Sequence, residues 1–573
     1  MSEPSDRSRD LSQPLAKLNQ AETVKANSDF LRDGIAEGLA APLTGSIPGD
    51  ATQVLKFHGI YQQDDRDLRD ERRHQKLEPA YEFMIRLRLP GGICQPWQWL
   101  RLDEMARTHA NGSLRLTTRQ TFQFHGVLKK DLKHTIQGIN AALIDTLGAC
   151  GDDNRGVMCS PNPHLSALHG EMATLARQVS DHLTPRTRAY HEIWLDETPV
   201  AGGQAEEEPI YGRTYLPRKF KIAFVAPPDN DVDVYTHDLG FIAIAEDGHL
   251  SGFNVAIGGG MGRTDNEPST YPRLGEVIGF CPPERVIEVA EQVVCVQRDF
   301  GDRVERKHAR LKYTIDDCGL DWFKTEVERR LGWSFDPPYP FHFDTNGDRI
   351  GWSDGPQGMA HYTLFIENGR VRDDGARRLL SGLRAIAGMH AGEFRLTPNQ
   401  NLIIANISAE QRPLIMTLLD EFGLDSGASV LRRNAMACVA LPTCGLAMAE
   451  SERYLPSLIG RLEVAMAECG LTDTPITLRM SGCPNGCSRP YIAEIGFSGR
   501  APGKYNLYLG GGFHGQRLNR LFLENVGEDR IMAELVPILR HYAADRLPGE
   551  HFGDFVIRAG HVRAVRSGIE FNL

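Results

Sequence analysis

A repeat constrains this chain more than any other feature. Arg115-Leu-Thr-Thr-Arg-Gln120 recurs as Arg395-Leu-Thr-Pro-Asn-Gln400, and Asn154-Arg-Gly-Val-Met-Cys159 is echoed by Asn434-Ala-Met-Ala-Cys438, both at an offset of 280 residues. Farther on, the glycine triplet Gly258 to Gly260 returns as Gly510 to Gly512, 252 residues later. Three matches in one order indicate an internal duplication. Two copies are too few for a solenoid, so the expectation is a pseudo-twofold molecule with a site between its halves.

The 573 residues suffice for about three to four packed units. At 41% hydrophobic and 24% charged residues, with a mean hydropathy of -0.34, the disordered class is excluded. No apolar run reaches about 18 residues, so no membrane span is expected. The first thirty residues lack the apolar core of a secretory signal, and 11 cysteines read as reduced thiols in a cytoplasmic protein, a subset of them with metal or redox roles. A net charge of -11 argues against nonspecific binding of nucleic acid.

Strand period in Met84 to Leu89, Leu114 to His125, Lys219 to Phe224 and Ile476 to Met480, with helix period at Ile531, Leu535, Leu539 and Tyr542, predicts an α+β fold. The polar stretch up to about Gly49 reads as an arm, and Glu206-Glu-Glu208 as a surface loop, neither packing centrally.

Cations alternate along three of these segments. A strand through residues 115 to 125 places Arg115, Thr117, Arg119, Thr121, Gln123 and His125 opposite Leu116, Phe122 and Phe124. Arg86 and Arg88 alternate likewise with Ile85, Leu87 and Leu89, and Lys219 and Lys221 with Phe220 and Ile222. A solvated sheet face accounts for any one such strand. A solvated face in an acidic chain should mix signs, however, and these faces with Arg155 carry seven cations and no carboxylate. They read as a wall that receives a polyanion.

Cys438 and Cys444 form a C-x5-C pair, and Cys483-Pro-Asn-Gly-Cys487 a C-x3-C pair, the two separated by 38 residues. Zinc knuckles fit this spacing poorly, and an iron–sulfur cube suits it better. Four buried structural thiols are the plain alternative.

These residues, with Lys56-Phe-His-Gly-Ile-Tyr-Gln-Gln-Asp-Asp-Arg66 and Leu216-Pro-Arg-Lys-Phe-Lys221, closely resemble the siroheme and 4Fe-4S family of sulfite and nitrite reductases over nearly the whole chain. The resemblance implies a pseudo-twofold fold of paired ferredoxin-like half-domains and two siroheme-binding domains. The implied bounds are an N-terminal partner-docking arm at 1–60, half-domains at 61–150 and 346–427, a siroheme and substrate domain at 151–345, and a siroheme and cluster domain at 428–573. It further implies that Cys438, Cys444, Cys483 and Cys487 ligate a 4Fe-4S cluster, with Cys487 also bridging to siroheme iron. Arg115, Arg119, Gln123, His125 and Arg218 would contact the siroheme carboxylates, and sulfite would sit among Arg86, Arg155, Lys219 and Lys221.

The implied reaction is the six-electron, seven-proton reduction of sulfite to hydrosulfide and three waters, with Lys219 or Lys221 as a proton donor of depressed pKa. Cys487 is followed by Ser488-Arg489-Pro490 where relatives carry Gly-Arg-Ala, which is expected to change hydrogen bonds to cluster sulfur.

Gly510-Gly-Gly-Phe-His-Gly515 formally matches the dinucleotide pattern, but the first-half triplet lacks the full motif, so a shared backbone requirement explains both better. Electrons must then come from a partner in a hetero-oligomer. The resemblance implies an NADPH-oxidising flavoprotein alpha subunit carrying FAD and FMN, or else a ferredoxin. Deleting residues 1 to 50 is expected to spare the chemistry and abolish the electron supply. The rival readings are a siroheme nitrite reductase and, from another class, a zinc-stapled nucleic-acid binder.

Overall fold

The computed structural model describes residues 14–162, 164–187, 193–195, 198–201, 208–425 and 427–572, with backbone alone at 193–195 and 198–201. The duplication is visible in its sheets. One five-stranded sheet contains Ile60–Asp64, Tyr81–Arg86, Phe122–Val127 and Leu114–Leu116, with Arg370–Val371 at the edge. Its counterpart contains Gly351–Asp354, Ala360–Leu364, Leu402–Ile407 and Glu393–Leu396, with Ile93–Cys94 at the edge. Each half thus lends a two-residue strand to the other: Arg370 pairs with Arg115, and Ile93 with Arg395. One apolar core joins both sheets, with Trp99 lying against Phe122 of one and Phe394 of the other.

Two further five-stranded sheets share a second topology. The first runs Glu276–Cys281, His249–Ile257, Leu239–Glu246, Ile222–Val225, Met158–Cys159; the other runs Arg520–Val526, Lys504–Leu509, Ile495–Ala501, Leu478–Ser481, Ala435–Ala437. Helices Val286–Phe300 and Glu528–Asp545 follow the corresponding strands. In the latter, Ile531, Leu535, Leu539 and Tyr542 are buried along one face, as their spacing predicts.

The repeated motifs are explained by their turns. Gln120 and Gln400 both adopt positive φ, and each side chain then bonds inward, Gln120 to the Cys159 and Leu396 carbonyls and Gln400 to those of Asn368 and Ala437. In the triplets, a Cβ on Gly259 would meet the Tyr235 carbonyl at 2.3 Å, and one on Gly511 the Ala493 carbonyl at 2.3 Å. The segment Gly510 to Gly515 leads into the strand Arg520–Val526, not into a helix that could receive a pyrophosphate.

An ion pair joins residues at matching positions of the two halves. Asp233 and Arg489 both take positive φ, each before a short 3-10 turn, and Arg489 Nε donates to Asp233 Oδ2 at 2.5 Å. Arg479 shares the same buried carboxylate at 2.6 Å.

Three expectations need correction. Residues 115 to 125 form a hairpin, not one strand, because Thr117 N bonds Thr121 O and Arg115 lies opposite Gln123. Residues 14–49 do not hang loose: helix Gln20–Asn27 buries Glu22 and Lys25, and Leu31 and Ile47 enter the cores. Glu206 and Glu207 lie outside the described residues, whereas Glu208 is buried.

Candidate functional site

The polar face of the first half-sheet meets the loop before Ile222–Val225, and there the expected cations gather. Lys219 and Lys221 flank buried Phe220, whose N–H and carbonyl are held by Asp153 and Arg155 backbone at 2.9 and 3.0 Å. Regular strand begins only at Ile222, yet the alternation survives because Phe220 is anchored. Burial is the main force pushing both ammonium pKa values well below the ordinary range. For Lys219, Arg218, Arg155 and Arg310 add to it, and for Lys221, Lys219, Arg119 and Arg310 do. Cys487 also acts on Lys219, so the lysine loop and the cysteine set share one neighbourhood.

Arg119 is pushed down to about 9 by burial and by Arg155 and Arg489, and Arg218 to about 10 by burial against the pull of Asp152. Guanidinium groups stay charged, so burying Arg119 and Arg218 among other cations leaves a site that favours an anion. Arg119 spans to Gly156 O at 2.5 Å and His237 Nδ1 at 3.2 Å. Arg86 donates to Gln123, oriented to accept at 2.7 Å, and to Cys150 Sγ at 3.0 Å. His125 is held neutral, since burial and then Arg370, Arg115 and Arg86 push its pKa well down.

Two arginines behave differently from the sequence reading. Arg115 is already balanced: its Nε donates to Glu452 at 2.9 Å, and Arg370 grips the same carboxylate. Arg88 leaves the wall and holds the carbonyls of Gly148, Asn154 and Ser180. The sequence reading also missed the counter-ions Glu452 and Asp152, the bidentate Arg310–Asp238 pair, and Tyr61, which lies within reach of Arg155, Arg86 and Arg218. Only the motif that contains Tyr61 carried any signal for them.

The four cysteines lie on two loops at the ends of neighbouring strands. Cys438 follows Ala435–Ala437, and Cys483 follows Leu478–Ser481; these strands are parallel, so both thiols emerge at one end of the sheet. Gly486 takes φ +61 and turns the chain back to Cys487. Gly482 N donates to Cys438 Sγ at 3.3 Å and Asn485 Nδ2 to Cys483 Sγ at 3.6 Å. Burial, and then the neighbouring thiol of Cys487, pushes the Cys438 pKa up to about 12 and raises that of Cys483.

Among the described residues no three His, Cys, Asp or Glu groups converge on a single ion. Yet Cys487 and Cys444 both act on Cys438 and on Cys483. Four thiols at C-x5-C and C-x3-C spacings on two adjoining loops are a donor set that fits a 4Fe-4S cluster. The cation wall beside them fits the carboxylates of siroheme, and it leaves His125 Nδ1 and Arg155 Nε buried without a partner. The Ser488 hydroxyl turns inward, donating to Met480 O at 2.6 Å and lying 2.7 Å from Ser481 Oγ.

Comparison with known proteins gives concordant matches. The model described as "Nitrite and sulphite reductase 4Fe-4S domain" matches residues 175–335, and "Nitrite/Sulfite reductase ferredoxin-like half domain" matches 74–142 and 354–422. The first match covers a segment that does not contain Cys438, Cys444, Cys483 and Cys487. Proteins named sulfite reductase (NADPH) hemoprotein beta-component are similar throughout. That of Methylocella silvestris is 63% identical, covering 99% of this chain and 98% of its own, and that of Nitrobacter winogradskyi is 60% identical, covering 99% of each. The solved structure of Mycobacterium tuberculosis NirA matches with a TM-score of 0.76 at 25% identity, covering 97% of this chain and 99% of its own.

Proposed function

Because this chain belongs to the nitrite and sulfite reductase family, we propose that it is the hemoprotein component of an NADPH-dependent assimilatory sulfite reductase, converting sulfite to sulfide. The observation that carries this reading is that the cation wall adjoins the four-cysteine set, Thr118 Oγ1 beside Arg119 donating to Cys487 O at 3.1 Å. When bound, siroheme and the 4Fe-4S cluster supply the electrons one at a time. Cys438, Cys444, Cys483 and Cys487 hold the cluster. Arg119, Gln123, His125 and Arg218 hold siroheme, and Arg115 fixes the strand through Glu452.

Arg86, Arg155, Lys219 and Lys221 bind the sulfite dianion. Gln123 and Cys150 set the direction of Arg86, and the buried Phe220 sets that of the lysines. Each sulfite oxygen leaves as water, so protons must be held close by. Burial among cations lowers the affinity of both Nζ atoms for a proton, which suits them to donate one to a departing oxygen. The name beta-component implies a companion alpha component for the relatives that carry it. Here we assign that role to a flavoprotein with FAD and FMN that oxidises NADPH.

Purified protein should show siroheme absorbance, iron and acid-labile sulfide, reduce sulfite with an artificial reductant, and use NADPH only when the flavoprotein is added. A colourless zinc protein would overturn the assignment, and faster turnover of nitrite than of sulfite would move it to the sister activity. Lys219→Met and Lys221→Met should each lower sulfite turnover by about a hundredfold, the scale of a lost proton donor, while siroheme absorbance persists. Parent rates in both variants would remove the lysines from the mechanism.

A further inference from the structure

The loop that presents Arg218, Lys219 and Lys221 is held by its carbonyls. Arg303 Nη2 donates to Tyr215 O at 2.8 Å, Lys25 Nζ to Leu216 O at 2.6 Å, and Arg306 Nη1 to Pro217 O at 3.3 Å. Three successive carbonyls are thus gripped by three cations from outside the loop.

Two carboxylates balance the cations. Glu22 accepts from Lys25 at 2.7 Å and from Arg303 at 2.6 Å, and Asp152 pairs with Arg306 at 2.8 Å and lies 3.6 Å from Lys25. Asp152 also accepts the Leu216 N–H through its backbone, at 2.9 Å, and lies 3.6 Å from Arg218. Glu22, Lys25, Arg303 and Asp152 are all buried. A buried ion network of this kind favours one arrangement, because moving any member strands a charge in a poorly solvated place.

Lys25 and Glu22 belong to the helix Gln20–Asn27, near the beginning of the chain. We propose that Lys25 is a positioning residue for sulfite binding, fixing from the N-terminal helix the backbone that presents Lys219 and Lys221. The assignment rests on the reading of those lysines as sulfite ligands. Lys25 itself touches backbone and carboxylates, and its ammonium is already occupied by Glu22 and Leu216.

The test uses holoenzyme carrying Lys25→Met, compared with the parent at matched siroheme content. Sulfite KM should rise about tenfold with a smaller change in kcat. Amide hydrogen exchange should quicken at residues 216–221, where the Leu216 and Phe220 N–H groups are bonded, while remaining at parent levels in the strands of the second half. Lys25→Gln, which leaves a polar partner for Glu22, is read in the same way should Lys25→Met not accumulate. Unchanged exchange at 216–221, or exchange that rises evenly over the protein, would overturn the positioning role. Local quickening with unchanged sulfite KM would uphold the grip on the loop and overturn the assignment of sulfite to its lysines.

Discussion

Cys487→Ser should abolish sulfite reduction, leaving less than about a hundredth of the parent rate, and should remove the electronic coupling between siroheme and the cluster. Cys438 and Cys483 are thiols that burial keeps protonated, so an iron centre must draw the protons off all of its ligands at once. A serine hydroxyl ionises far less readily and offers hard oxygen where iron–sulfur chemistry requires soft thiolate. Cys487 is the exposed member of the set, and Thr118 donates to its carbonyl at 3.1 Å, so in the proposed arrangement it would stand between cluster and substrate wall. Iron, acid-labile sulfide and siroheme absorbance, measured together with turnover, check the result. Retention of coupling and activity would place the bridge elsewhere.

Deletion of residues 1 to 50 should destroy both the artificial-reductant rate and the NADPH-dependent rate, contrary to the expectation drawn from composition. The deletion removes Glu22 and Lys25 from a buried network, leaving Arg303 without its carboxylate and Leu216 O without its donor. Breaking a buried ion pair by removing one partner costs about 3–5 kcal/mol. It also takes Leu31 and Ile47 from two cores, at about 2–5 kcal/mol each if Leu→Ala losses are the guide. Together these losses are comparable to the whole stability of about 5–15 kcal/mol typical of a domain. Soluble expression, siroheme content and both rates should fall together. Survival of the artificial-reductant rate alone would restore the picture of a detachable docking arm.

The sequence made the duplication legible because both turns need the same device, a glutamine at positive φ whose amide satisfies buried carbonyls, and both triplets admit no Cβ at Gly259 and Gly511. The cysteine set was legible through spacing, and the lysine loop through alternation about Phe220. Illegible were features whose partners lie far away in the chain. Arg115 and Glu452 are 337 residues apart and Glu22 and Arg303 281, so no local pattern announces either pair. The exchanged strands Ile93–Cys94 and Arg370–Val371 are two residues long, too short for any period to register. The polar composition of the first fifty residues pointed to solvent because it cannot distinguish a solvated charge from one that is buried and paired.

The contact between Asp233 and Arg489 bears on how such a molecule came to exist. In a dimer of identical chains, a residue on the twofold axis meets its own copy, and a charged one there faces its own sign. Here corresponding positions carry opposite signs and bind each other directly. That solution is open only to a polypeptide encoding both copies, in which each can mutate without changing the other. The joining of two units into one gene therefore did more than keep them together. It allowed corresponding positions to pair opposite charges across the two halves.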